Sequence, residues 1–180
     1  MKTESTVKFV LRLTLTLLLI TGVVAAALAG VNAITKDAIA ANQEKKTQDA
    51  LAVVLPNAGN LQKVELSGDP GIVSEVYSDG VSYAVKVLPA GFDGTITMMV
   101  GITEGKVSGI SVISHTETPG LGAVAAAQNA KGEAFRGQFV GQSGSLAVGN
   151  QIDAMSGATI TSKAVVTGVN AALEYVANLG

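Results

Sequence analysis

Two short segments hold most of the side chains that could do chemistry. The first, SHTETPGLG, runs from Ser114 to Gly122 and contains the only histidine, His115, with Glu117 and Thr118 close behind. Its Pro119-Gly120 pair, followed by Leu121 and Gly122, predicts a tight loop with backbone N–H groups turned outward. Such a loop suits a ligand bearing oxygens or ring nitrogens. The plainer reading is a structural turn beside a loop-supporting histidine. The second segment, DAMSGATITS, runs from Asp153 to Ser162 and carries four hydroxyls: Ser156, Thr159, Thr161 and Ser162. It precedes a helical pattern, and a helix start offers free N–H groups and partial positive charge to a phosphate. Here the plainer reading is an N-cap with spare hydroxyls. Ser156 lacks the G-x-S-x-G elbow of a hydrolase, and His115 is the only base that could serve it. No Walker loop is present, and no G-x-G-x-x-G follows a strand to open a helix.

Composition narrows the chemistry further. The 180 residues include no cysteine, which excludes disulfides, thiolate metal sites, iron–sulfur ligation, a cysteine nucleophile and an N-terminal lipidated cysteine. One histidine excludes a multi-histidine metal site. A net charge of −2 leaves no basic footprint for nucleic acid. Hydrophobic residues make up 48% of the chain, too many for a disordered one.

The elements that must position the two segments follow a simple order. No charge lies between Arg12 and Lys36, and roughly 20 apolar residues span a bilayer. Lys2, Lys8 and Arg12 precede this run and predict a cytoplasmic N-terminus. The rival reading is a signal peptide cleaved after the A-x-A pattern Ala27-Leu28-Ala29. Residues 34–55 are rich in Ala, Gln, Glu and Lys and predict a polar stalk helix, closed by Pro56-Asn57. Strands are expected at 71–77, 81–88, 96–102 and 107–113, with turns at Asp79-Gly80 and Glu104-Gly105. Val165, Val166, Val169, Ala172, Leu173 and Val176 recur at helical spacing, with Ser162 as the expected N-cap. The architecture read from this order is α+β: a twisted, mainly antiparallel sheet packed against helices.

Together the two segments resemble a known family. DAMSGATITSKAV matches the flavinylation motif D-x-x-(S/T)-G-A-T of the covalent FMN-binding domain family, and SHTETPGLG resembles the other hallmark of its electron-transport members. The stretch from Gly91 to His115 looks like that family's sheet. The anchor, stalk and length are similar to the G-subunit family of Rnf electron-transport complexes, with the longer C subunits of sodium-pumping NADH:quinone reductases as relatives. In one respect the chain departs: nothing charged lies between Arg136 and Asp153, where family members commonly carry lysines.

The resemblance implies a cofactor and a role. Thr159 would carry FMN as a phosphoester, attached by a separate flavin transferase that uses FAD and a divalent metal. Ser156, Gly157, Ala158 and Thr161 would surround the attachment point, and His115, Glu117, Thr118, Leu121 and Gly122 would line the isoalloxazine. The expected organisation is a cytoplasmic N-terminus (1–8), a transmembrane helix (9–33), a stalk helix (34–56) and an extracytoplasmic FMN-binding domain (57–180). The implied function is electron relay by a membrane-bound component of an ion-translocating ferredoxin:NAD+ oxidoreductase, not a complete enzyme by itself. Other membrane and redox subunits would be its partners. The alternatives are a stand-alone exported flavin carrier serving extracellular acceptors, and a flavin-free exported binding domain.

Overall fold

The computed structural model describes residues 6–179, so most of the expected cytoplasmic segment 1–8 lies outside the described residues. The chain divides into two compact units, residues 1–45 and 46–180.

The first unit is helical. The expected membrane and stalk helices are one continuous helix, α1 (Thr6–Val54), because no proline or turn cluster interrupts the sequence before Pro56. Thr14, Thr16, Thr21 and Thr35 turn their hydroxyls back onto the carbonyls of Val10, Arg12, Leu17 and Val31. Each polar group is thereby satisfied inside the helix, as a hydrocarbon environment requires. Leu17, Leu18, Leu19, Val23, Leu28 and Val31 are all exposed. A helix that is apolar on every side needs an apolar surrounding, and α1 is long and apolar enough to cross a membrane.

The second unit contains a five-stranded antiparallel sheet in sequential order: β1 (Gln62–Val64), β2 (Val73–Ser78), β3 (Ser82–Val87), β4 (Thr97–Thr103) and β5 (Lys106–Ser114). The β4–β5 hairpin turns on Glu104 and Gly105, with φ of 53° and 71°, the two-residue geometry that matches strand twist. At the β2–β3 turn, the Asp79 carboxylate accepts from the backbone N–H groups of Ser82, Val81 and Gly59. Helices α2 (Ala130–Gly137) and α3 (Thr159–Ala177) follow, with a short 3₁₀ turn at Gly122–Ala126 before them.

Strand alternation divides the core between the sheet's two faces. Val85, Val87, Met98, Val100 and Ile102 pack in one cluster with Val165, Val166, Val169 and Ala172 of α3. Phe135 and Phe139 complete this cluster, meeting edge to face at 5.5 Å. Ala84 and Met99 point the other way and meet Ala50, Leu51, Val54 and Leu55 at the end of α1. Burying side chains such as Leu51 and Val54 stabilises by roughly 1.5–3 kcal/mol each. Gly101 and Gly109, register partners in β4 and β5, leave room for the Val54 backbone to approach. Ser108 Oγ donates to the Val54 carbonyl at 2.7 Å and satisfies an orphan acceptor at the helix end.

Candidate functional site

The first loop leaves β5 at Ser114 and is fastened by two consecutive side chains. Thr116 Oγ1 donates to the Asp93 carbonyl. Glu117 is only 4% exposed, and its carboxylate joins three segments of the chain. Oε1 accepts from the Phe92 N–H at 2.8 Å and the Asp93 N–H at 3.3 Å, while Oε2 accepts from the Thr161 hydroxyl. A Cβ on Gly91 or Gly122 would collide with this carboxylate, which is why glycine stands at both positions. Gly120, at φ 78°, then reverses the chain, and the N–H groups of Leu121 and Ala123 both reach the Thr118 carbonyl at 3.2 Å.

The second loop is held by the residue that follows α2. Gln138 Oε1 accepts from the Asp153 N–H at 2.7 Å, and its Nε2 donates back to the Asp153 carbonyl. Gly157, at φ 73°, makes the left-handed step into α3, and its missing side chain leaves room for Leu121. The expected N-cap at Ser162 is corrected: the cap position belongs to Ala158, which offers no side-chain oxygen, and α3 starts at Thr159. Ser162 lies inside the first turn, fully buried. Its Oγ accepts from the Met155 N–H and donates to the Ala158 carbonyl, both at 2.9 Å, and so staples the loop to the helix. Thr161 does not cap the helix either, because its hydroxyl is committed to Glu117.

These constraints sort the four hydroxyls. Thr161 and Ser162 are buried and bonded inside the protein, whereas Ser156 and Thr159 are exposed. The first helical hydrogen bond of α3 runs from Ser162 N to Ala158 O at 2.9 Å. The N–H groups of Thr159, Ile160 and Thr161 therefore have no carbonyl of the helix to reach.

The two loops enclose a cavity of about 340 Å³, within the usual range for a small-molecule site. Its walls are Glu117, Thr118, Leu121 and Gly122 of the first loop, residues 157–161 of the second, and Phe92. The structure thus brings together Thr159, Gly157, Ala158, Thr161, Glu117, Thr118, Leu121 and Gly122. Ser156 faces a neighbouring cavity of about 500 Å³ that also touches Leu121 and Asp153. His115 does not line the first cavity; it is half-buried past the end of β5, with Nδ1 buried and unpaired among the described residues. Among those residues no group of three or more His, Asp or Glu side chains gathers for a metal.

Phe92 and Ile160 escaped the sequence reading. Both are exposed, at 66% and 55%, and with Leu121 they give the cavity an apolar rim. The signal for Phe92 was an aromatic set between Gly91 and Gly94 in a chain with 4% aromatics. For Ile160 it was an apolar residue outside the helical repeat of the core.

Comparison with known proteins places this geometry. Residues 91–174 match the FMN-binding domain family, and residues 1–54 match the RnfG N-terminal region. The chain is 37% identical over 157 residues to the G subunit of the proton-translocating ferredoxin:NAD(+) oxidoreductase complex of Clostridium ljungdahlii, covering 83% of this chain and 82% of that one. The chain belongs to the G-subunit family of ion-translocating oxidoreductase complexes. Other members of the family match along nearly their whole length. The G subunit of the Na(+)-translocating ferredoxin:NAD(+) oxidoreductase complex of Acetobacterium woodii is 34% identical, with 96% of this chain and 94% of that one aligned. The corresponding G subunit of Methanosarcina acetivorans is 32% identical, with 94% and 95% aligned. The fold is also that of the C subunit of the Na(+)-translocating NADH-quinone reductase from Parabacteroides distasonis, with a TM-score of 0.50 at 20% identity, covering 75% of this chain and 92% of that structure. All the cavity's lining residues fall inside the FMN-binding span of this G-subunit sequence.

Proposed function

We propose that this chain carries FMN, joined as a phosphoester to Thr159, and relays electrons within an ion-translocating ferredoxin:NAD+ oxidoreductase complex. The observation that carries the reading is the position of Thr159. It is the first residue of α3, its side chain is exposed at the cavity wall, and unpaired backbone amides stand beside it. A phosphoryl group there would accept hydrogen bonds from those amides and meet the positive end of the helix dipole. Thr159, Ile160 and Thr161 would hold the phosphate end, while Phe92, Leu121 and Ile160 would pack on the ring.

Attachment requires a separate flavin transferase. The Thr159 Oγ–H bond is exchanged for Oγ–P, the pyrophosphate bond of FAD breaks, AMP leaves, and the hydroxyl proton passes to solvent. Bound flavin supplies one- and two-electron chemistry; the chain's residues orient it and shield it. We place α1 as a single membrane span with Lys8 and Arg12 on the cytoplasmic side and the FMN domain on the outer face. The remaining components of the complex would supply and remove the electrons. Support comes from the near full-length match to G-subunit relatives, whose names describe such complexes.

Mass spectrometry of the protein purified from its native membrane tests this. The expected result is one FMN phosphate adduct on the peptide containing Thr159, on a chain that retains its N-terminus. An unmodified Thr159 peptide would refute the covalent flavin, and a mature terminus at Gly30 would refute the membrane span.

A further inference from the structure

We infer that Glu117 tunes the cofactor: its buried carboxylate holds the reduction potential of the flavin site below that of the same site with a neutral residue. The inference rests on the reading that FMN on Thr159 occupies this cavity. Glu117 is the only charged residue among the described residues lining it. Lys131 and Asp153 border the neighbouring cavity instead, and Lys163, further along α3, is exposed. Every hydrogen bond Glu117 makes comes from a donor: two backbone N–H groups and the Thr161 hydroxyl. This is the pattern of an ionised carboxylate, which only accepts.

Burial strengthens its effect, because a charge at 4% exposure is poorly screened by water. Adding electrons to a ring beside a fixed negative charge is disfavoured, and charge near the flavin is one of the means by which a protein tunes it. The partial positive charge of the α3 start is matched by the anionic phosphoryl group, so it does not cancel Glu117. The geometry also gives Thr161 a part. Its hydroxyl draws charge from Oε2, so removing it leaves a more concentrated negative charge on the cavity wall.

The two partners therefore make opposite predictions, which a merely structural role would not. The full-length chain is co-expressed with a flavin transferase, the flavin is mapped by peptide mass spectrometry, and the midpoint potential is read by dithionite titration against a reference dye. Roughly pH 8 keeps the carboxylate far above its titration range. E117Q preserves shape and the two backbone contacts; its potential is expected to rise. T161V removes only the hydroxyl donor; its potential is expected to fall. Loosening of the site would move both in the same direction, and that result overturns the inference, as does an unmoved potential in a loaded E117Q. Should E117Q fail to accept flavin, T161V decides alone: a potential equal to or above wild type overturns the inference. Flavin on a residue other than Thr159 would overturn the proposed function and this inference with it. Flavin on Thr159 with potentials that contradict these signs overturns this inference alone.

Discussion

Thr161 gives its hydroxyl hydrogen to the carboxylate of Glu117, 44 residues earlier in the chain. Thr161 belongs to the first turn of α3, and Glu117 to the loop that leaves β5. The same carboxylate also takes up the backbone N–H groups of Phe92 and Asp93. One buried side chain thus holds three loop segments in register around a single cavity, and Thr159 stands between them with its hydroxyl free.

Replacing Thr159 should separate attachment from folding. Its side chain is exposed, so Thr159→Ala is expected to change stability by no more than about 0.5 kcal/mol. After co-expression with a flavin transferase, wild type should give a fluorescent band in a denaturing gel, Thr159→Ala none, and Thr161→Ala a retained band. A band that survives Thr159→Ala would move the acceptor elsewhere.

Ser162→Ala should act in the opposite way, on stability. The buried Met155 N–H loses its acceptor, at a cost of about 1–3 kcal/mol. Thermal unfolding should show a lower midpoint, and a midpoint equal to wild type would show that the staple contributes nothing.

Gly101→Ala tests how closely the end of α1 approaches the sheet. The new methyl would run into Ser108 Oγ and the Val54 carbonyl. Overpacking of this kind costs about 1–3 kcal/mol. Gly105→Ala is a poor control because Gly105 sits at φ 71°; Gly59→Ala, with open space around it, should fold like wild type.

Acid should expose the contribution of Glu75. Burial raises its carboxyl, but hydrogen bonds from Lys63 and Lys86, with the Lys86 charge, outweigh burial and hold it below its ordinary value. A carboxyl depressed by folding stabilises above its unfolded value, about 4.3, and that contribution fades as pH falls through the folded value. The midpoint difference between wild type and Glu75→Gln should therefore be greatest near neutral pH and shrink below about pH 4. A difference independent of pH would assign the effect to packing.

Much of this architecture was legible because it rests on local pattern. Val81–Leu88 alternates along its length, and Ser82–Val87 is a strand. The valines and alanines after Ser162 repeat at helical spacing, and they form the buried face of α3. What escaped had no such pattern. Three-residue β1 carries no periodicity, and α2 contains Gly132 and Gly137, poor helix formers whose start depends on the Asn129 side chain accepting from Gly132 N. Ser162 read as a cap because hydroxyls favour that position, yet tertiary contacts recruited it to hold Met155 instead. Glu117 was legible as a site residue, but its partners are backbone amides some 25 residues away, and no side-chain motif announces those.

The Ala158 start of α3 has a consequence for maturation. Helices that begin on alanine rather than Ser, Thr, Asp or Asn are weaker by about 1 kcal/mol. The chain as synthesised is therefore short of a hydrogen-bond acceptor at the spot where the phosphate is to be attached. On the proposed reading the prosthetic group completes the secondary structure as well as the chemistry. Heat resistance then becomes a gauge of assembly: the flavinylated chain should melt above both its unmodified form and Thr159→Ala, and those two should melt together.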